Sequence, residues 1–420
     1  MKIGLANATV FDPSSKFHLQ TVDILIEDGI IKKIGKGLKG ADIDLSGKWV
    51  SLGFAELSAN FCEPGNEHKE DISSGIEVAV SGGFTDVCVA PDTQPALETK
   101  GGIQFVRGKS GKVSLWPIAA VSEELKGENL TEILDLNHNG AVAFSDGVNP
   151  IWNTELLLKA LQYVQKFEGL IINRPKDVGL SRHAHMHEGA VSTSLGLNGE
   201  PSVSEELTIQ RDIEILKYAG GRIHFSQIST EKSVDLIKKA KAEGLKVTCD
   251  VSINHLLFSD KDLETFDTNY KVDPPLRTSK DRKALIKGLK SGVIDAISTA
   301  HQPQDQECKD LEFDLADFGA IGLQTAFAAL NSIKDELPLE VSIEKITRGP
   351  RTVVGLDQPE IAEGAMAKLA VFDPEEKWTF DKSNNKSKSF NSPFVGKELT
   401  GKSLGTINGK ITSLEILEHV

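Results

Sequence analysis

The middle of this 420-residue chain alternates strand and helix signals, and that alternation limits its possible folds more than any other feature. Leu157, Ala160, Leu161 and Val164 recur at helical spacing behind Asn153 or Thr154 as candidate caps, and the apolar run Leu170-Ile171-Ile172 follows. Ile223-His224-Phe225 then precedes a helix-like stretch from Ser233 to Ala242. The run from Leu245 to Cys249 returns to strand, Lys283 to Leu289 to helix, and Val293 to Ile297 to strand again. Repeated βα units require a parallel sheet with helices on its faces, and closure into a TIM barrel buries such a sheet economically. An open doubly wound sheet is the competing arrangement, but no G-x-G-x-x-G or Walker-type loop supports it.

The two ends of the chain read differently. Ile24-Leu25-Ile26 and Ile30-Ile31 flank Glu27-Asp28-Gly29, and Asp-Gly between apolar runs predicts a tight hairpin. Near the other end, Lys368 to Phe372 reads as strand, and Thr406-Ile407 and Ile411-Thr412 flank the hairpin pair Asn408-Gly409. Strand-rich ends around a βα middle predict that the termini pair into one small β domain. The expected organisation is an α/β chain: a TIM (β/α)8 barrel over residues 51–355, with a small β-sandwich built from residues 1–50 and 356–420. The polar stretch from Ser383 to Ser389 reads as an exposed loop.

Composition excludes several classes of function. A net charge of −14 argues against nucleic acid, because phosphate binding needs clustered Lys and Arg. No apolar run approaches the roughly 20 residues of a membrane span, and the first residues carry no signal-peptide pattern, so the expected location is the cytoplasm. Cys62, Cys88, Cys249 and Cys308 are scattered, as reduced thiols are, and form no thiolate metal site.

In a barrel the working residues stand at the C-terminal ends of strands. Several such segments, in order along the chain, are similar to the dihydroorotase family. They are Gly82-Gly83-Phe84-Thr85 with Pro91-x-Thr93-x-Pro95, Ser229-Thr230-x-x-Ser233-Val234, Asp273-Pro274-Pro275-Leu276-Arg277, the segment from Phe318 to Ala326, and Ser387-Lys388-Ser389-x-Asn391-Ser392-Pro393-Phe394-x-Gly396. The resemblance covers nearly the whole chain and implies an amidohydrolase-type barrel. Its active members interconvert carbamoyl aspartate and dihydroorotate at a binuclear zinc site. Two metals bridge a water, lower its pKa and polarise a carbonyl that is otherwise a poor electrophile.

At that site this sequence departs from the family. Glu63-Pro64-Gly65 is intact, but Ser58 and Asn60 match the two histidines of the first strand, and Cys62 matches the arginine that grips the substrate carboxylate. Arg174 and Gln227 match the next two histidines, and Ala300 matches the aspartate that serves as base and ligand. Asp146 matches the bridging position in one branch of the family and is left as a partner for Arg174. Asp92 and Asp273 match asparagines that contact substrate, while His301 keeps its family identity. Serine, amide and guanidinium are poor substitutes for zinc ligands, and a carboxylate in place of a neutral donor disfavours a dianionic substrate. No catalytic residue, no metal ligand and no cofactor are therefore expected at these positions.

The remaining candidates read most simply as structural. His183, His185 and His187 alternate before Glu188, and are expected to be solvent-facing loop histidines rather than a metal site. His68, His138, His255 and His419 have no partner at ligand spacing and predict hydrogen-bonded structural roles. Cys62 reads as a buried thiol in preference to a nucleophile. The resemblance implies a non-catalytic homologue that serves as a structural or regulatory partner of aspartate transcarbamoylase, with self-association expected. The alternative is a hydrolase of cyclic amides with an altered or metal-free site. A third possibility is a module that senses a pyrimidine intermediate.

Overall fold

The computed structural model describes residues 2–415, so His419 lies outside the described residues. Eight parallel strands succeed one another in chain order: Phe54–Ala59, Phe84–Val89, Ser114–Ala120, Ala143–Ser145, Ile171–Asn173, Ile223–Phe225, Val247–Ser252 and Ala296–Ser298. Side chains along Phe84–Val89 are all buried, as expected of a strand covered on both faces. The last strand returns to the first. The Asn60 N–H donates to the His301 carbonyl at 3.0 Å, and Glu56 on the first strand accepts the Thr299 N–H at 2.8 Å.

The helix predicted behind Asn153 spans Thr154–Val164, and the Asn153 side chain accepts the Glu155 and Leu156 N–H groups at 3.0 and 3.3 Å. Helices Glu231–Ala242 and Ser279–Lys290 follow the predicted pattern, with Thr230 and Thr278 as their caps. The run read as strand from Val293 forms its ladder only from Ala296, because Val293 and Ile294 turn back onto Gly288 of the preceding helix.

Strands from both termini join in one eight-stranded sheet. Trp49–Leu52 pairs antiparallel with Leu369–Phe372, which stitches the N-terminal part to the C-terminal part. Both predicted hairpins form. At the first, Asp28 and Gly29 have φ of 51° and 81°, the left-handed pair that a two-residue turn needs. At the second, Asn408-Gly409 joins Glu398–Asn408 to Ile411–Leu414. The sheet carries its own core, including Leu5, Ile24, Val50, Leu369 and Ile407.

A buried ion cluster at the barrel's N-terminal end ties it to this sheet. Asp86 receives Arg351 Nη2 and Lys368 Nζ, both at 2.6 Å, and Trp116 Nε1 at 2.9 Å. Burial alone would raise the Asp86 carboxyl, but Arg351 and Lys368 hold it down at about 2. Residues at this end of a barrel serve stability, so the site must be sought at the other.

Candidate functional site

The strands end together, and the next residues form one wall. Ser58, Asn60, Asp92, Arg174, Gln227, Ala300 and His301 line a single small cavity at the mouth of the barrel, of about 20 Å³. Sequence positions far apart are therefore brought together. Cys62, Asp146 and Asp273 stand around the cavity without lining it.

Several wall residues are held by their neighbours. The Ser58 N–H donates to Glu56 Oε1 at 3.1 Å. Asn60 Nδ2 donates to Asp92 Oδ2 at 2.8 Å, while Asn60 Oδ1 accepts the Cys62 N–H at 2.8 Å. Burial raises the Asp92 carboxyl. The Gln227 N–H donates to Asp250 Oδ1, which also contacts His224 Nε2 at 2.9 Å. His301 Nδ1 accepts the Gly322 N–H at 3.2 Å, so the ring proton sits on Nε2, 3.8 Å from Glu70 Oε2. Cys62, Gln227 and Ala300 adopt left-handed φ of 58°, 54° and 52°. Such backbone is strained for residues other than glycine, and it keeps the turn that presents a strand-end side chain to the barrel mouth.

The pairing expected between Arg174 and Asp146 is not formed. Asp146 turns back to the segment just past the preceding strand, where its carboxylate accepts the Val121 and Ser122 N–H groups at 3.1 and 2.9 Å and the Ser122 hydroxyl at 2.5 Å. These local donors satisfy the carboxylate, and burial raises it. Gly147 and Val148 line the cavity in its place. Arg174 pairs instead with Asp273, donating from Nη1 to its carbonyl and standing 3.7 Å from Oδ2. Lys176 Nζ adds a contact to Asp273 Oδ1 at 2.9 Å. Burial alone would raise the Asp273 carboxyl, but Lys176 and Arg174 hold it below the usual range.

Lys176 was not singled out in the sequence, although it lies two residues beyond Arg174, on the same side if that segment is extended. Glu56 and Glu70 were also missed. Glu56 is fully buried beneath the wall, and burial pushes its carboxyl up to about 7. Glu70 receives hydroxyls from Ser74 and from Ser387 in the C-terminal segment. That polar segment is exposed at Lys386 and Lys388 but anchored at Ser387 and Ser389. Asn391 continues the anchoring, bonding the Gln302 and Gly319 carbonyls at 3.0 Å and the Gln304 N–H at 3.1 Å.

The three alternating histidines do not share a face. His183 is exposed with φ of 64°, His185 is half-buried, and His187 is buried, with Nδ1 3.3 Å from Arg277 Nη1. Solvent-facing describes His183 alone. Burial, and secondarily Arg277, push His187 down to about 4. His68 contacts Asp305 at 3.2 Å, His255 contacts the Pro275 carbonyl at 3.2 Å, and His138 ends the helix Ile133–His138. Cys62 is buried, and its thiol is pushed up to about 12 by burial and by Asp92 and Glu70. It is a poor nucleophile.

A closed barrel with its polar residues at the strand ends, joined to a β sheet from both termini, is the architecture of cyclic amidohydrolases. The chain superposes on L-hydantoinase (dihydropyrimidinase) from Arthrobacter aurescens with a TM-score of 0.85, covering 98% of this chain and 95% of that one at 22% identity. It superposes on D-hydantoinase (dihydropyrimidinase) from Thermus sp. with a TM-score of 0.79, covering 98% and 96% at 19% identity. Residues 47–233 match the dihydro-orotase-like family model. Proteins named dihydroorotase are similar over nearly the full length. That of Geobacter metallireducens is 37% identical over 418 residues, covering 97% of this chain and 98% of its own. That of Ruminiclostridium cellulolyticum is 40% identical over 418 residues, covering 97% of each. The chain belongs to the dihydroorotase family.

Membership corrects one expectation. No cofactor was expected because the ligand positions are substituted, yet relatives 37% identical over 97% of the chain place it in a family of two-zinc enzymes. Zinc is the cofactor that this membership implies. The residues present do not fit that pair of ions. Ser58, Asn60, Gln227 and Ala300 offer no imidazole or carboxylate, and Arg174 brings a fixed positive charge. Among the described residues, no helix is long and apolar enough to cross a membrane.

Proposed function

We propose that this chain is a dihydroorotase-family protein that does not hydrolyse at its inherited pocket and acts as a structural or regulatory partner in pyrimidine biosynthesis. Ala300 carries the reading. It stands where the resemblance puts the base that must take up a proton, and a methyl group takes up none. Pocket size supports the same conclusion. The strand-end cavity of about 20 Å³ admits a water molecule and no more, and the adjoining cleft of about 490 Å³, which shares Val148 and Gln302 with it, is lined by Lys176 and Asp273 rather than by Ser58, Asn60, Gln227 or Ala300. Arg174 also occupies a wall position matched to an imidazole, and its charge is permanent.

Aspartate transcarbamoylase is the partner to which the family resemblance points, together with self-association into a homo-oligomer. Co-migration of the two purified proteins at micromolar concentration tests the first, and sedimentation of the chain alone tests the second. Absence of both removes the partner role.

The second reading, a hydrolase of cyclic amides with an altered site, is favoured by the names of the relatives, dihydroorotases over nearly the full length. The discriminating experiment offers dihydroorotate, hydantoins and allantoin to the full chain, with zinc added and with zinc chelated. The expected result is no turnover above background in either state. Metal-stimulated hydrolysis that disappears in His301→Ala would establish the second reading instead.

A further inference from the structure

Three residues that line the strand-end cavity carry a buried group without a hydrogen-bond partner: the Nε–H of Arg174, Oδ1 of Asp92 and Nε2 of His301. Arg174 is only 6% exposed, and its contact with Asp273 runs through Nη1, leaving Nε unused. The other oxygen of Asp92 is already engaged by Asn60. Leaving a donor or acceptor buried in this way is unfavourable, so these groups call for an occupant of the cavity.

Volume and charge select that occupant. At about 20 Å³ the cavity takes one water-sized molecule. Gly147 keeps this space open, since a Cβ there would stand 2.4 Å from Asp92 Oδ1. An anion would meet the Asp92 carboxylate, and a cation would meet the guanidinium. A small neutral molecule that accepts from one and donates to the other satisfies both.

We infer that the cavity is a built site for one water molecule, which accepts from Arg174 Nε–H and donates to Asp92 Oδ1. His301 Nε2, also buried without a partner, belongs to a residue that lines the same cavity and stands as a further partner. The water completes a polar path across the barrel mouth, from Asn60 through Asp92 to Arg174, Asp273 and Lys176. It links the end of the second strand to the end of the fifth. This water site is independent of whether a substrate is turned over.

The test is a crystal structure of the full chain, from one crystal grown with added zinc and one with chelator. The expected result in both is an isolated peak that refines as oxygen, about 2.7–3.2 Å from both named atoms. Direct contact between Arg174 Nε and Asp92 Oδ1, with no peak, overturns the water site and leaves the proposed function standing. An anomalous zinc peak in the cavity overturns both. Asp92→Leu removes the acceptor and fills the space, so the peak should vanish from its structure. Persistence at full occupancy there would also overturn the assignment.

Discussion

Arg174 and Asp273, 99 residues apart in the chain, meet at the barrel mouth, with Nη1 of Arg174 donating to the Asp273 carbonyl and lying 3.7 Å from Oδ2. Both are largely buried, and Lys176 reaches the same carboxylate from the other side. A buried carboxylate that loses one of two cations is left undercompensated. Arg174→Met should therefore destabilise the fold by about 3 kcal/mol, at the low end for breaking a buried pair because Lys176 remains. Urea unfolding measures this, and a double-mutant cycle with Asp273→Asn isolates the pair. A loss within about 0.5 kcal/mol, the usual scatter for a surface substitution, would mean that the pair does not hold the mouth together.

Ala300 has φ of 52°, where a Cβ is strained by roughly 1–2 kcal/mol. Ala300→Gly relieves that strain and gives back part of it through a freer unfolded chain. The expected net gain is about 0.5–1 kcal/mol, read as a higher urea midpoint with an unchanged slope. Ala300→Val should shift the midpoint the other way, and equal midpoints for the three proteins would refute the strain.

Asp86 is held at about 2 in the folded chain, against 3.8 for the free side chain. A depressed carboxyl contributes stability that is present above the unfolded value and lost as pH falls through the folded one. The window is pH 4 down to 2, and the difference corresponds to about 2 kcal/mol. Asp86→Asn should be less stable at neutral pH and should show a flatter acid limb in that window. An acid limb unchanged by the substitution would assign acid sensitivity to other groups.

Glu56 titrates in the opposite sense. Its folded value is about 7, above the ordinary 4.5, because burial outweighs the hydrogen bonds from the Ser58 and Thr299 N–H groups. The folded state holds its proton more tightly, so this residue's contribution to stability falls as pH rises from about 4.5 to 7 and is level above that. The full swing is about 3 kcal/mol. Asp212, raised to about 6 by burial, adds to the slope in the lower part of the same range. Glu56→Gln should remove most of the decline between pH 5 and 8 in a series of urea titrations. A parallel decline in the variant would clear Glu56.

Much of this molecule is legible locally. The helix behind Asn153, the Asp28-Gly29 and Asn408-Gly409 hairpins and the alternation that builds the barrel rest on residue spacing within a dozen positions. Strand starts are less legible, as Val293 and Ile294 illustrate: both are apolar and β-branched, yet they close a turn against Gly288. The side of the barrel on which Ser58, Asn60, Arg174, Gln227 and Ala300 would gather followed from their places at strand ends.

By itself the sequence determined the βα alternation, the strand-rich ends and the chemical identity of each strand-end residue, because these depend on side-chain type and period along the chain. Only the tertiary structure decided which groups touch. Asp146 found donors just past the end of the neighbouring strand, and Arg174 turned to Asp273. Arg174 and Asp92 came to line one small cavity. Contacts of that kind are settled by competition among groups distant in sequence for the few buried partners within hydrogen-bonding reach, and no local pattern records the outcome.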